Sequence, residues 1–281
     1  MSTAADIGKR INTFGAMKDI VGAMKAYAGA ALRKTEQSVL TIREYEEHLL
    51  RAIADLSAHM PEAAANGQQD GKRLLVAFGS TQGLCGAFNE KTAAAVLETV
   101  KADDKLFVVG GRLGGLLDAA KLTYDVSMDS AASVEGIHRV LQNLAGRITG
   151  IYGSREFGSL SLIFTSITDN RADVTVERIL PPETARLSGF KAPGFPPLMY
   201  MLPRSVFEKV LEEFLYISLY RCCAESLRSE NWYRLRSMEG ASRNLEKHIA
   251  ALESMQNYVR QEEVTEEMLE ILGGGMFFSE Q

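Results

Sequence analysis

The chain has 281 residues, 46% of them hydrophobic and 24% charged, with a formal net charge of −5. That balance suits a soluble globular protein with a sizeable core, and it lacks the clustered excess of Lys and Arg that phosphate neutralisation on nucleic acid requires. No run approaches the ~18 consecutive apolar residues of a membrane span, and Met1–Asp6 does not begin a secretory signal.

All seven prolines lie between Pro61 and Pro203. Proline lacks a backbone donor and clashes with the preceding turn, so it is excluded from helix interiors. The two ends of the chain are therefore free to be long helices. From the N-terminus, steps of three and four pass through Ile7, Ile11, Phe14, Lys18, Val21, Lys25, Ala28, Leu32, Thr35, Val39, Ile42, Glu46, Leu49, Ile53 and Leu56. This alternation is the seam of a left-handed coiled coil. Asp6 is the expected N-cap and His59-Met60-Pro61 the expected stop. At 1.5 Å per residue such a helix is a rod of ~80 Å.

The middle of the chain reads differently. Lys72–Phe78, ending in Gly79, is a short apolar run that predicts a buried strand. Thr92–Lys101 predicts a helix, and Lys105–Val109, ending in Gly110-Gly111, a second strand. Val134–Tyr152 carries Val134, Ile137, Val140, Leu141, Leu144 and Ile148 at helical spacing. Leu160–Ser166 and Val174–Leu180 are further strands, joined by a polar turn at Asp169-Asn170-Arg171 that predicts a hairpin. Alternation of strands and helices implies an α/β layer with parallel pairing.

After Pro203 the helical pattern returns, with Val206, Val210, Phe214, Ile217 and Leu227 on a broad apolar face. Leu235, Met238, Ser242, Leu245, Ile249, Leu252, Gln256 and Val259 then form a narrower seam. Gly273-Gly274-Gly275 is the expected stop. The fold class that follows is α/β: a long antiparallel coiled coil of the N- and C-terminal helices with an inserted Rossmann-like α/β domain. The expected division is 1–60, 61–203 and 204–281. Lys18, Lys25, Glu46 and Gln256 are seam positions where a tight zipper would carry Leu. They either snorkel at a loose seam or face a partner.

Chemistry-bearing motifs are scarce. Cys85, Cys222 and Cys223 are odd in number, and the last two are neighbours on a helix, pointing ~100° apart, which suits neither a disulfide nor a tetrahedral metal site. A reducing cytoplasm is the plain inference. The four histidines are scattered. Gly79–Gly86 follows a strand, as a phosphate loop would, but lacks the Gly-Lys-Ser/Thr ending. Gly110–Gly115 does not spell the dinucleotide fingerprint. No nucleophile, base and orienter assemble from these residues, so no catalytic group, metal or cofactor is expected.

Four motifs carry a resemblance. Ile20-Val21-Gly22-Ala23-Met24-Lys25 with Leu32-Arg33-Lys34, Gly83-Leu84-Cys85-Gly86 with Asn89, Glu225-Ser226-Leu227 with Ser229-Glu230, Arg234 and Met238, and Arg260–Ile271 stand in order along the chain. Together they resemble the gamma subunit, the central rotor shaft, of F-type rotary ATP synthases. The resemblance covers nearly the whole chain. It implies a non-catalytic subunit of a proton- or sodium-translocating machine, turning inside a ring of three alpha and three beta subunits. Its foot would lie beside an epsilon subunit and the c-subunit ring, at the cytoplasmic face of a bacterial inner membrane. Residue by residue, it implies contacts to beta subunits by Met24, Lys25, Arg260, Gln261, Thr265 and Glu267.

The chain also departs from the family. Gly22 and Ala31 stand where lysines are common, Thr81-Gln82 replaces Asp-Arg, and Met199–Pro203 replaces Tyr-x-Tyr-Glu-Pro. The tail Gly275–Phe278 differs from the family's small-residue ending. These departures point to a divergent member, and the absence of an inserted cysteine pair favours a bacterial form. Two readings of other classes remain open at this stage: a non-rotary coiled-coil scaffold, and a nucleotide-dependent α/β enzyme.

Overall fold

The computed structural model describes residues 4–64, 72–153, 157–190 and 194–276. Phe277 and Phe278, singled out in the tail, lie outside them. Along the chain run α1 (Ala4–His59), α2 (Pro61–Ala64), β1 (Lys72–Phe78), α3 (Phe88–Thr99), β2 (Lys105–Val109), α4 (Gly111–Ala119), β3 (Val126–Met128), α5 (Val134–Gly153), β4 (Phe157–Thr168), β5 (Arg171–Leu180), α6 (Thr184–Ser188) and α7 (Pro203–Met276). Two compact units result: Met1–Tyr27 with Leu235–Gln281, and Ala28–Arg234. Both long helices contribute to both units.

In the larger unit the strand order is β3-β2-β1-β4-β5. β1 pairs parallel with β2 and β4, and β2 parallel with β3. β5 is antiparallel to β4, from Leu160↔Leu180 to Thr168↔Arg171. The two-residue turn between them holds Asp169 at φ 49° and Asn170 at φ 60°. Both are residue types that tolerate the left-handed region a tight hairpin demands.

Because side chains alternate across a strand, β1 divides its apolar run between two cores. Leu75 and Ala77 join Leu106, Val108 and Ile163 against Ala93 and Val96 of α3 and Leu113 and Leu117 of α4. Leu74, Val76 and Phe78 face the other way, with Phe107, Leu162 and Phe164. That second core is closed by Ile137, Leu141, Leu144 and Ile148 of α5, by Val39, Leu50, Ile53 and Leu56 of α1, and by Phe214, Leu219, Cys222 and Leu227 of α7.

The seam expected in α1 is observed. Every residue of it is buried or half-buried except Lys25. The α7 seam from Leu235 to Val259 is likewise withdrawn from solvent along its length.

Several local expectations are corrected. α1 is already helical at Ala4, so Asp6 stands in its first turn rather than at the cap. α3 starts earlier than Thr92, at Phe88, because Phe88 is fully buried and anchors the turn. α4 was not expected, since Gly111, Gly114 and Gly115 weaken helix propensity. Its Gly114 lies close to Tyr124 and Ser127, where a Cβ would already be in contact. β3 is too short for a sequence signal and is fixed by its pairing with Phe107–Val109. Gly273–Gly275 do not end α7, which continues to Met276.

Glu46 neither snorkels nor faces outward. It is 4% exposed, and its Oε2 lies 2.7 Å from Arg221 Nε and 3.2 Å from Arg186 Nη2. Ser218 Oγ donates to its Oε1 at 2.7 Å. Arg221 and Arg186 both also bond Glu177 Oε1. The result is an alternating ring of charges joining α1, β5, α6 and α7.

Cys222 and Cys223 are buried on α7, and burial pushes both thiols up, Cys223 to about 12. They act as small apolar core groups, and among the described residues no cluster of metal-ligating side chains exists.

Two outcomes follow. Glu46→Gln leaves two guanidiniums short of a carboxylate and lowers stability by ~3 kcal/mol, read from the denaturant midpoint at unchanged m-value. In the native protein at pH 8, Cys222 and Cys223 stay unalkylated by iodoacetamide, because a raised thiol pKa leaves little thiolate. Mass spectrometry finds both labelled only once denaturant unfolds the chain.

Candidate functional site

The strand-end loops are where an α/β layer ordinarily holds a ligand. After β1, an open cleft of about 630 Å³ is lined by Gly83, Leu84, Cys85, Glu90, Arg112 and Leu116 among others. Five backbone donors at these strand ends are engaged inside the protein. Gly79 N bonds Val109 O at 2.7 Å, Gly110 N bonds Met128 O at 2.7 Å, and Arg112 N bonds Ser80 O at 2.9 Å. Ser80 N donates to Asn89 Oδ1 at 2.9 Å, and Thr81 N to Ser130 Oγ at 2.9 Å.

The glycines here serve close packing. A Cβ on Gly79 would stand 2.4 Å from Leu113 Cβ, and one on Gly110 2.6 Å from the Gly79 carbonyl carbon. Asn89 completes the knot by donating to Ser80 Oγ at 2.8 Å. Cys85 lies within it, 2% exposed, its thiol pushed up by burial against a lowering contact from Ser80. The Gly-Leu-Cys-Gly…Asn motif thus builds a rigid corner.

The α7 motif does comparable work. Ser226 Oγ donates to Phe78 O at 3.1 Å and Ser229 Oγ to Thr165 O at 2.9 Å, so the helix is fastened to the ends of β1 and β4. Arg43 of α1 bonds Glu225, which is fully buried. Arg234 reaches Glu230 at 2.5 Å, Asn231 at 3.0 Å and the Gly83 carbonyl at 3.4 Å, tying α7 to the corner. Burial raises the Glu230 pKa while Arg234 opposes the rise.

The six residues expected to meet a partner all belong to the smaller unit. There, α1 and α7 run antiparallel. Gln256 Nε2 donates to Ala4 O at 3.2 Å, Phe14 stacks on His248 at 5.9 Å, and Lys18 pairs with Glu246 at 3.2 Å. Lys25 is exposed and pairs with Glu239 at 3.5 Å, and Met24 is half-buried beside it. Arg260, Gln261, Thr265 and Glu267 are all exposed. Thr265 Oγ1 donates back to Gln261 O within its own helix, at 2.7 Å.

Helical geometry sorts these positions. Gln261 and Thr265 share a face with Val264 and Met268. Arg260 and Glu267, seven residues apart, lie together on the adjoining face. Met24 and Lys25 form a separate group on α1.

Of the apolar members of this surface, only Met24 was expected from sequence as a contact. Met17, Ile20 and Tyr27 are exposed, and with Met24 they follow three-four-three spacing. They form a second row ~100° round α1 from the seam. On α7, Met255, Tyr258, Val264, Met268 and Leu269 are exposed, the last two at 63% each. The signal was a second helical period overlaid on the first. In the larger unit a further exposed apolar run, Phe195, Leu198, Tyr200, Met201 and Leu202, precedes α7, with Tyr200 94% exposed. Among the described residues no helix is long and apolar enough to cross a membrane.

Comparison with known proteins supplies the context for this surface. The gamma chain of the ATP synthase of Bdellovibrio bacteriovorus is 28% identical, and the alignment covers 98% of each chain. The corresponding chain of Mycoplasma mobile is 23% identical over 98% of each, and that of Clostridium acetobutylicum 26% identical over 95% of each. A chain of the Euglena gracilis mitochondrial ATP synthase, solved with its F1 sector and c-ring, has the same fold. Its TM-score is 0.64 at 15% identity, with 98% of this chain and 94% of that one covered. A chain of the Tetrahymena thermophila central stalk and c-ring superposes with TM-score 0.58 at 17% identity, over 79% and 99%. The family model for ATP synthase matches residues 3–276, and the chain therefore belongs to the ATP synthase family.

Proposed function

We propose that this chain is the gamma, or central-stalk, subunit of an F-type proton- or sodium-translocating ATP synthase. It does no chemistry itself. It turns inside a hexamer of alpha and beta subunits, in company with an epsilon subunit and the c-subunit ring, and is held peripherally at the cytoplasmic face of a bacterial inner membrane. The observation that carries the reading is the match to gamma chains over 98% of each chain, on a fold whose two terminal helices pair within each unit.

The coupling follows from differential contact. A ligand shifts a conformational equilibrium only by the difference in its affinity for the two states. A shaft that shows each beta subunit a different face at each angle supplies such a difference to three catalytic sites in turn. The smaller unit has the necessary asymmetry. Its α1 row is apolar at Met17, Ile20 and Tyr27, whereas its α7 faces mix Arg260, Gln261, Thr265 and Glu267 with Val264 and Met268. Met24, Lys25, Arg260, Gln261, Thr265 and Glu267 are the proposed contacts to beta subunits. The foot is proposed to use the exposed run Phe195–Leu202, where the family's carboxylate is replaced.

Co-expression with alpha, beta and epsilon subunits tests the assignment. The chain is expected to co-purify in a hexameric ATPase of one copy per three beta subunits, and failure to enter the hexamer would reject the reading. Within that complex, Arg260→Ala with Gln261→Ala is expected to lower ATP hydrolysis about tenfold, equivalent to ~1.4 kcal/mol of coupling. The isolated chain's thermal midpoint should not move, because both side chains are exposed.

A further inference from the structure

The ring of Glu46, Arg221, Glu177 and Arg186 has no counterpart in an ordinary helix seam. Glu46 occupies a seam position of α1, Arg221 lies on α7, Glu177 on β5 and Arg186 on α6. Arg221 Nε meets Glu46 at 2.7 Å, and its Nη2 meets Glu177 at 2.7 Å. The Arg221 guanidinium lies over the Phe164 ring at 5.5 Å and that of Arg186 over Phe214 at 5.9 Å, so flat apolar surfaces hold both cations in place.

Stability alone does not account for this arrangement. Buried ion pairs replaced by well-packed apolar groups of similar volume commonly leave a protein as stable or more so, and their best-attested use is to fix register. A seam of apolar residues at three-four spacing is non-directional. Sliding one helix by a turn, ~5.4 Å, brings apolar groups opposite apolar groups again. The same slide would strip Glu46 of Arg221, Arg186 and Ser218 together. The other polar ties between α1 and α7 here include Arg43 to Glu225, Glu36 to Arg228 and Tyr45 to Glu213, each with its α1 side chain about half-exposed and able to follow a slide. Ser226 and Ser229 fasten α7 to the sheet and leave α1 untouched.

We infer that this ring is a register lock: it fixes the position of α1 along α7 and the sheet within the larger unit. Resting on the central-stalk reading, it is also the joint that keeps the helix pair from slipping under torque. Its four members are positioning residues.

The test compares the natural ring with the apolar quartet Glu46→Leu, Glu177→Leu, Arg186→Met and Arg221→Met in the full chain. Tyr45 OH donates to Glu213 Oε1 at 3.2 Å across α1 and α7, both groups exposed. Tyr45→Cys with Glu213→Cys is therefore the matched pair for a short bis-maleimide. Tyr45→Cys with Lys209→Cys reports a slide of one turn. With the natural ring only the matched pair should cross-link. With the quartet the offset product should rise at least fivefold, at an unchanged or higher thermal midpoint.

A folded quartet that cross-links only in the matched register overturns the inference. Arg221→Lys, which keeps the charge but cannot bridge both carboxylates, provides a second check should the quartet not fold. It too should yield the offset product, and its absence overturns the inference equally. In the assembled complex the quartet is expected to at least halve the ions pumped per ATP while hydrolysis persists. A wild-type pumping ratio alongside offset cross-links overturns the torque role. Cross-linking is read on the chain alone, so failure of the central-stalk reading appears separately, as failure to assemble.

Discussion

Neither long helix can bury its own stripe. A helix in water gains little from its backbone alone and depends on covering its apolar face. α1 carries one such face along its whole length, and the partner that covers it comes from the far end of the chain. Lys25 meets Glu239, and Glu46 meets Arg221, across most of the sequence. The entropy of closing so long a loop grows only with the logarithm of its length, about 0.6 kcal/mol per doubling. A long insert is therefore tolerable, provided its two ends return to the same place. The sheet answers that requirement: α1 and α7 both pack on the face that holds Val76, Phe78 and Phe164, so the insert is also a clamp on the pair it interrupts.

Periodicity made most of this legible. The three-four spacing of α1 predicted positions that are withdrawn from solvent at every step but Lys25, since a seam is a property of spacing. The strands were legible as apolar runs, and the β4–β5 hairpin from Asp169-Asn170. What escaped had tertiary causes. α4 exists because glycine permits close approach to Gly79, Tyr124 and Ser127, a gain that a propensity scale counts as a loss. β3 exists because β2 offers it a partner. The run Gly273–Gly275 reads as a stop on local grounds, yet the helix passes through it.

The surface was legible only in part. Resemblance pointed to polar positions at the end of α7 and to Lys25, which are exposed, and to Met24, which is half-buried. It did not mark Met17 and Tyr27, or Ile20 as a contact, because a second apolar row is hard to see beside a stronger first one. Glu46 was the opposite case. It was visible as a defect in the seam, but its explanation lies in Glu177 and Arg186, on β5 and α6, which no spacing within α1 can reveal. Gly79–Gly86 suggested a phosphate loop by position alone, but it lacks the Gly-Lys-Ser/Thr ending, and the amides of Gly79, Ser80 and Thr81 are engaged inside the protein.

The two units join the same helices by different chemistry, and the difference suits their tasks. In the larger unit the helices meet through buried charges, serine-to-carbonyl bonds and aromatic faces, all of which are directional and resist displacement. In the smaller unit they meet through a half-exposed seam and through ion pairs such as Lys18–Glu246, each partner roughly half-exposed and so worth little. On the proposed assignment of this surface to the beta subunits, it engages three of them in succession and cannot bind any one tightly without stalling. Exposed methionines at 17, 255 and 268, flexible and adaptable, offer contact area without demanding one fixed geometry. Strength is thus concentrated where the helices must not slip relative to the sheet, and adaptability where each contact must be released.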